Sequence, residues 1–220
     1  MTICLFDLDG TLVDSREPIL RALNTALDDV GLGHVTAADL WRHVGPPLQL
    51  TLHSLLSERG DDVGHVAALI EAYRTEYQAV SVALARSYPG VPELLDALTG
   101  RVRLGVVTSK PGVYASPILD ALGFAARMEV VEGPGLTGVE PKPVTLARAL
   151  TRLGADDRVD DVTVIGDRRY DIEAGRAHNT RTIGVTWGFG SRDELEQAGA
   201  DRVVDHPGEI AAIVVPLATG

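Results

Sequence analysis

Five short, largely apolar runs, at residues 3–6, 104–107, 128–131, 162–165 and 182–185, constrain this chain more than any other feature of its sequence, the first of them unbroken. A strand with one wet face alternates apolar and polar side chains, whereas a continuous run suits a strand buried on both faces of a parallel sheet. Helical periodicity falls between most of the runs. Residues 92–98 put Leu94, Leu95 and Leu98 on one face, residues 114–122 do the same with Ile118, Leu119 and Leu122, and residues 144–153 with Leu146, Leu150 and Leu153. Strands alternating with helices predict an α/β fold, a doubly wound parallel sheet.

Residues 16–86 break that rhythm. They hold no convincing strand but carry three helical patterns: residues 19–30 with Leu20, Leu23 and Leu27 on one stripe, residues 48–56, and residues 66–77 with Ala67, Ile70, Arg74 and Tyr77 spaced by three or four. The expected organisation is an α/β core from residues 1–14 and 88–220, with an all-helical cap at 15–87. Tyr88, Pro89 and Gly90 mark the return to the core. Internal repeats and low-complexity segments are absent from the sequence.

Composition bounds the function classes. Of 220 residues, 45% are hydrophobic and 23% charged, enough to bury a sizeable core and to argue against global disorder. The net charge of −11 argues against nucleic acid as a partner, because phosphate backbones require clustered Lys and Arg. It says little about a small phosphorylated substrate, which feels a local site. Cys4, the one cysteine, reads as a small core residue; it allows no intrachain disulfide and is at home in a reducing, cytoplasmic compartment. The N-terminus shows no signal-peptide pattern and no apolar run reaches about 18 residues, so no membrane partner is expected.

In an open α/β sheet, ligands bind beyond the carboxyl ends of the strands. Asp7, Asp9, Gly10 and Thr11 follow the first apolar run. Thr108, Ser109 and Lys110 follow the second. Lys142 lies past the third, between Pro141 and Pro143, and Asp167 and Asp171 follow the fourth. Several carboxylates gathered at one edge repel each other unless a cation joins them, and oxygen-only ligands select magnesium. A lysine and a hydroxyl beside the metal can hold phosphoryl oxygens, one carboxylate can attack phosphorus, and a second can protonate the leaving oxygen. Taken singly, Asp9-Gly10 is an ordinary turn, Thr108 a helix cap, Lys142 a solvated lysine, and Asp167 with Asp171 a pair at a helix start. The functional reading comes from their order after successive strands.

That order resembles the haloacid dehalogenase superfamily. The four motifs are Asp7-Leu-Asp-Gly-Thr-Leu-Val-Asp-Ser, Val107-Thr-Ser-Lys, Glu140-Pro-Lys-Pro and Ile165-Gly-Asp-Arg-Arg-Tyr-Asp, with the insert at the superfamily's first cap position. The resemblance implies Asp7 as nucleophile and Asp9 as acid/base, with Asp9's backbone carbonyl also on Mg2+. It implies Thr108 and Lys142 on the phosphoryl group, and Asp167 and Asp171 in or supporting the metal shell. Gly10, Thr11, Ser109 and Lys110 are expected near the substrate, and the cap loop Gly45-Pro46-Pro47 is expected to touch it. A carboxylate at Asp9 disfavours dehalogenation. The implied activity is phosphatase action on a small phosphorylated metabolite, of phosphoglycolate phosphatase type, by a monomer or homodimer. Arg168 stands where Thr or Ser is frequent, and with Trp187-Gly-Phe-Gly-Ser the fourth motif is similar to a branch that includes bacterial nucleotidases. A phosphomutase, a protein-directed phosphotransfer or regulatory protein, and a silent binding module remain as alternatives. Tyr73, Arg74 and Tyr77 read as cap packing with a solvated Arg, and residues 187–190 as either a turn or a loop near the site. No P-loop, Gly-x-Ser-x-Gly elbow or trusted histidine metal spacing occurs.

Overall fold

The computed structural model describes residues 1–136 and 139–215. Strand β1 (Ile3–Phe6) is followed by the two-residue strand β2 (Val13–Asp14) and then by α1 (Arg16–Asp29), α2 (Ala37–Trp41), α3 (Leu48–Arg59) and α4 (Val66–Val80). The chain comes back through β3 (Arg86–Ser87) and continues with α5 (Val91–Leu98), β4 (Arg103–Val107), α6 (Gly112–Ala121), β5 (Val130–Glu132) and α7 (Lys142–Leu153). The remaining elements are β6 (Val162–Gly166), α8 (Arg169–Ala177), β7 (Arg181–Val185), α9 (Arg192–Gln197), β8 (Arg202–Val204) and α10 (Pro207–Val214).

Among the described residues, six strands form one sheet in the order β5-β4-β1-β6-β7-β8, every pair parallel. From β1 the chain steps outward to β4 and β5, then returns across β1 to β6 and steps out the other way. The reversal lies between β1 and β6, which is where a doubly wound sheet opens a crevice at its carboxyl edge. Alternate side chains of β1 feed opposite faces, as strand geometry requires. Cys4 and Phe6 pack with Leu94, Leu95 and Leu98 of α5, Ile118 and Leu119 of α6, and Ile210 of α10. Ile3 and Leu5 pack with Leu146, Ala149 and Leu150 of α7 and Ala174 of α8. Both faces are covered, which is why these strands read as largely apolar runs without polar alternation.

The four helices between β2 and β3 enclose a separate hydrophobic cluster that includes Leu23, Leu27, Leu40, Leu52, Leu56, Leu69 and Tyr77. Tyr114 and Phe189 of the sheet-bearing part also press on it. β2 and β3 pair antiparallel, Val13 opposite Ser87 and Asp14 opposite Arg86, so the chain enters and leaves the helical segment through one narrow ribbon.

The structure departs from the sequence reading in several places. In α4 the buried stripe is Leu69, Tyr73, Tyr77 and Val80; Ala67 is exposed, so the stripe through Ala67, Ile70 and Arg74 is rotated from the true one. The third apolar run begins as strand only at Val130, because the amide of Met128 closes a 3-10 turn on the Ala125 carbonyl. The ribbon, β8, α2, α9 and α10 are additions. Residues 216–220, inside the segment read as core, lie outside the described residues. Among the described residues no helix is long and apolar enough to cross a membrane.

Candidate active site

β1 ends where its backbone last pairs with the sheet: the amide of Asp7 donates to the carbonyl of Ile165 at 2.8 Å. That bond places the Asp7 side chain at the carboxyl edge, beside the end of β6. Asp167 follows β6 directly, and Asp171 sits in the first turn of α8, where its carboxylate accepts from the amide of Arg168 at 3.0 Å and caps the helix. Asp7, Asp167 and Asp171 are all buried and offer one oxygen each, all within 4.8 Å of one another.

The ammonium of Lys142, from the first turn of α7, lies 2.9 Å from Asp7 Oδ1 and also meets Asp171 Oδ1. Burial alone would lower the lysine's pKa; Asp171 and Asp7 outweigh it and hold the ammonium charged, above its ordinary range. With all three carboxylates ionised, this one ammonium leaves two negative charges in a buried pocket. Burial pushes the Asp167 carboxyl up to about 8, with repulsion from Asp171 and Asp7 adding to it, against hydrogen bonds from Phe189 N and Thr11 Oγ1. Burial likewise raises Asp7 to about 6, although Lys142 opposes the shift. A double charge deficit held by hard oxygens fits a divalent cation of the magnesium class.

The pKa shifts carry a sign that can be tested. Asp7 and Asp167 hold their protons more tightly folded than unfolded. Between the ordinary carboxylate range, about pH 4, and the raised values, the folded chain binds more protons than the unfolded chain. Stability of the protein in chelator should therefore fall as pH rises through that window to about 8. Denaturant titrations at a series of pH values should show this slope, and Asp167→Asn should flatten it. An unchanged slope in the variant would contradict the assignment.

The other sequence-identified residues divide into two groups. Asp9, Thr108, Ser109 and Lys110 line one cavity with Asp7, and Gly45, Pro46 and Pro47 reach into the same cavity from the helical segment. The Asp9 carboxylate stands apart from the acidic triad: Ser15 Oγ donates to Oδ1, and Lys110 Nζ lies 3.0 Å from Oδ2. Lys110 also donates to Tyr77 Oη and sits 4.3 Å from the centre of that ring, so its ammonium is already engaged. Thr108 Oγ1 accepts from the Lys110 amide at 3.1 Å.

Gly10 and Thr11 do not line the cavity, contrary to their reading as substrate groups. Thr11 is buried and donates to Asp167 Oδ1 at 2.9 Å, so it orients a triad member from behind. Gly10 has φ +89°, and a side chain there would collide with the Asp167 carboxylate. Lys142, too, is absent from the cavity wall, its ammonium being committed to Asp7 and Asp171.

Residues 187–190 belong to the site rather than to a plain turn. Trp187 Nε1 donates to the carbonyl of Thr11 at 3.0 Å, and the amide of Phe189 donates to Asp167 Oδ2 at 2.8 Å. Arg74 is partly rather than fully solvated: its guanidinium donates to the carbonyl of Leu136 and lines the cavity with Tyr73, Tyr77 and Tyr114. Tyr73 and Tyr77 stack at 5.2 Å, and Tyr114 meets Tyr77 edge-on at 5.7 Å. Sequence reasoning treated the two stacked tyrosines as cap packing and missed Tyr114, Ile70 and Leu136 as cavity residues. The four-residue spacing of Tyr73 and Tyr77, with Arg74 between them, is the one available signal.

Residues 4–185 match the family described as haloacid dehalogenase-like hydrolase. The chain is 36% identical over 193 residues to a 5'-nucleotidase of Pseudomonas aeruginosa, covering 87% of this chain and 85% of that protein. It is 35% identical over 212 residues to a tyrosine-protein kinase, PtkA, of Mycobacterium tuberculosis, covering 94% of this chain and 69% of that protein. A crystal structure described as a predicted phosphatase from Clostridium acetobutylicum superposes with a TM-score of 0.87 at 32% identity, covering 97% of each chain.

Proposed function

The chain belongs to the haloacid dehalogenase-like hydrolase family, and on that footing we propose that it is a Mg2+-dependent phosphomonoesterase working through an aspartyl-phosphate on Asp7. The observation that carries this reading is the Asp7 carboxylate. It lines the cavity on one side while it meets a buried ammonium and two further buried carboxylates on the other.

Asp7 is the nucleophile. One of its oxygens forms the new bond to phosphorus as the ester P–O bond breaks, and Asp9 in its protonated form gives its proton to the departing oxygen. Water then attacks the phosphorus of the acyl phosphate, Asp9 takes the proton, and inorganic phosphate leaves Asp7 as it was. Lys142 fixes the direction of the Asp7 carboxylate, and Ser15 with Lys110 fixes that of Asp9. Thr108, which lines the cavity at the end of β4, would hold a phosphoryl oxygen with its hydroxyl. Asp7, Asp167 and Asp171 would hold the magnesium ion, with the Asp9 carbonyl in support; its positive charge would draw off negative charge from the phosphoryl oxygens.

Residues 15–87 act as a cap over this site, hinged at the β2–β3 ribbon, and the 45–47 loop is its substrate-facing edge. Beyond the phosphoryl end, the cavity wall is largely apolar and aromatic: Pro46, Pro47, Ile70, Tyr73, Tyr114 and Leu136. Arg74 and Gln49 are polar exceptions. Such a wall favours a leaving group with a flat or apolar face over one as small and charged as glycolate, so a 5'-nucleotidase-like substrate is the second reading. Lone, buried Cys4, whose thiol burial pushes up to about 12, suits a cytoplasmic protein, acting as a monomer or homodimer.

A phosphate-release screen over phosphomonoesters, with magnesium and with chelator, tests the proposal. Release of inorganic phosphate that requires the metal is the expected result. Transfer of the phosphoryl group to a sugar or to a protein tyrosine in place of release would point to a mutase or a protein-directed role. No turnover of any phosphomonoester with magnesium would refute the reading.

A further inference from the structure

Arg168 follows the metal-side Asp167 directly, yet its guanidinium turns away from the acidic triad toward the helical segment. It is buried, with 6% of its surface exposed. Nη1 donates to the carbonyl of Trp41 at 3.2 Å and to that of Val44, and Nη2 donates to the carbonyl of Arg42 at 3.3 Å. Nε donates to Glu194 Oε1 at 2.8 Å, and the same carboxylate oxygen accepts from the amide of Arg169 at 2.9 Å. The three carbonyls belong to the C-terminal end of α2 and the turn beyond it, where a helix leaves its last carbonyls without partners. A guanidinium presents five N–H groups in a rigid fork, and four contacts are made here.

The carbonyls held this way belong to the segment that delivers Gly45, Pro46 and Pro47 into the cavity. Gly45 follows the clamped Val44 at once, with φ +132°, and a side chain there would press on Tyr170 and on the Arg168 stem. A second contact runs beside the first: the Trp41 ring meets Phe189 at 5.5 Å, and the Phe189 amide is the one that holds Asp167. Of the two residues that bracket Asp167, one in sequence and one by hydrogen bond, Arg168 grips residues 41–44 and Phe189 meets Trp41.

We propose that Arg168 is a positioning residue: a latch that ties the substrate-facing loop of the cap to the α8 start and so sets the closed shape of the cavity. It touches neither substrate nor the reacting atoms. The inference rests on the phosphatase reading for its kinetic part, while its structural part stands alone. Opening the cap must release three carbonyl contacts at once, and Glu194 keeps the guanidinium aimed for reclosure.

The test replaces Arg168 by Met, which keeps the stem and removes the fork, and by Lys, which keeps the charge but offers a single point donor. Hydrogen exchange of the amides of residues 42–45 and 48 should quicken about tenfold or more in Arg168→Met, with exchange in β1, β4 and β6 unchanged. KM for the best substrate of the phosphate-release screen should rise about tenfold while kcat moves less than about threefold. Arg168→Lys should recover part of both effects. Glu194→Gln, which leaves the fork in place, should shift both measures the same way by a smaller factor and serves if Arg168→Met does not fold. Exchange at residues 42–45 and 48 within about twofold of wild type would overturn the latch, as would equal losses of kcat and global protection. If wild-type protein hydrolyses no phosphomonoester, the phosphatase reading fails and the exchange measurement alone decides the latch.

Discussion

Asp7→Asn should abolish turnover while leaving the fold at least as stable as wild type. The amide is close to the carboxylate in shape and keeps an oxygen for the Lys142 ammonium, which lies 2.9 Å from Oδ1. It cannot donate an electron pair to phosphorus as a carboxylate does. Loss of the nucleophile from a covalent mechanism should lower kcat by at least about ten-thousandfold. The stability half follows from the acidic cluster. Asp7 is raised to about 6, chiefly by burial, with Asp171 and Asp9 contributing like-charge repulsion. At neutral pH in chelator an ionised Asp7 therefore opposes folding, and a neutral amide removes that opposition. Activity lost together with unchanged or increased resistance to denaturant is the expected pair of results. Turnover within tenfold of wild type in a folded variant would remove Asp7 from the chemistry.

Lys142→Met should do the reverse to stability and also depress activity. The ammonium is the one cation touching both Asp7 and Asp171 among the described residues, and its side chain is 5% exposed. Removing one member of a buried charge group leaves the others uncompensated, an effect of about 3–5 kcal/mol. The carboxylates can relieve part of it by taking protons, so about 3 kcal/mol in chelator at neutral pH is expected, judged by the denaturation midpoint. Magnesium should recover part of the loss, since it supplies charge to the same oxygens. kcat/KM should fall by at least about a hundredfold for every phosphomonoester alike, because the group Lys142 orients is common to all. A selective loss confined to large substrates would instead put Lys142 among the substrate-side residues.

Much of the fold was legible because buried parallel strands leave an unmistakable local mark. Residues 3–6 coincide with β1, and the runs at 104–107, 162–165 and 182–185 each fall within one residue of β4, β6 and β7. The placement of Asp7, Thr108 and Asp167 followed from those strands, since each stands just past a strand end. What escaped was short or long-range. β8 has two apolar residues between charged neighbours, and two-residue strands such as β2 and β3 show no period at all. Glu132 lies buried in β5, paired with Arg148 and Arg152 of α7, and a charge inside a strand argues against a strand until its partners are known. The stripe of α4 was misread because Tyr77 belongs to both candidate stripes, while only packing against α1 and α3 selects Leu69 and Tyr73. Arg168 could not be understood from sequence: three of its four acceptors are backbone carbonyls more than a hundred positions away, and a carbonyl has no signature in residue type.

The central claim is a covalent bond between Asp7 and phosphorus, and acid quenching tests it most directly. Enzyme with magnesium and a substrate carrying labelled phosphate should be quenched within the first turnover, proteolysed, and the labelled peptide sequenced by mass spectrometry. The account predicts an acid-stable, hydroxylamine-sensitive label on the peptide carrying Asp7, absent in chelator and absent in Asp7→Asn. Phosphate release at full rate with no trapped label, or a label on any residue other than Asp7, would contradict it.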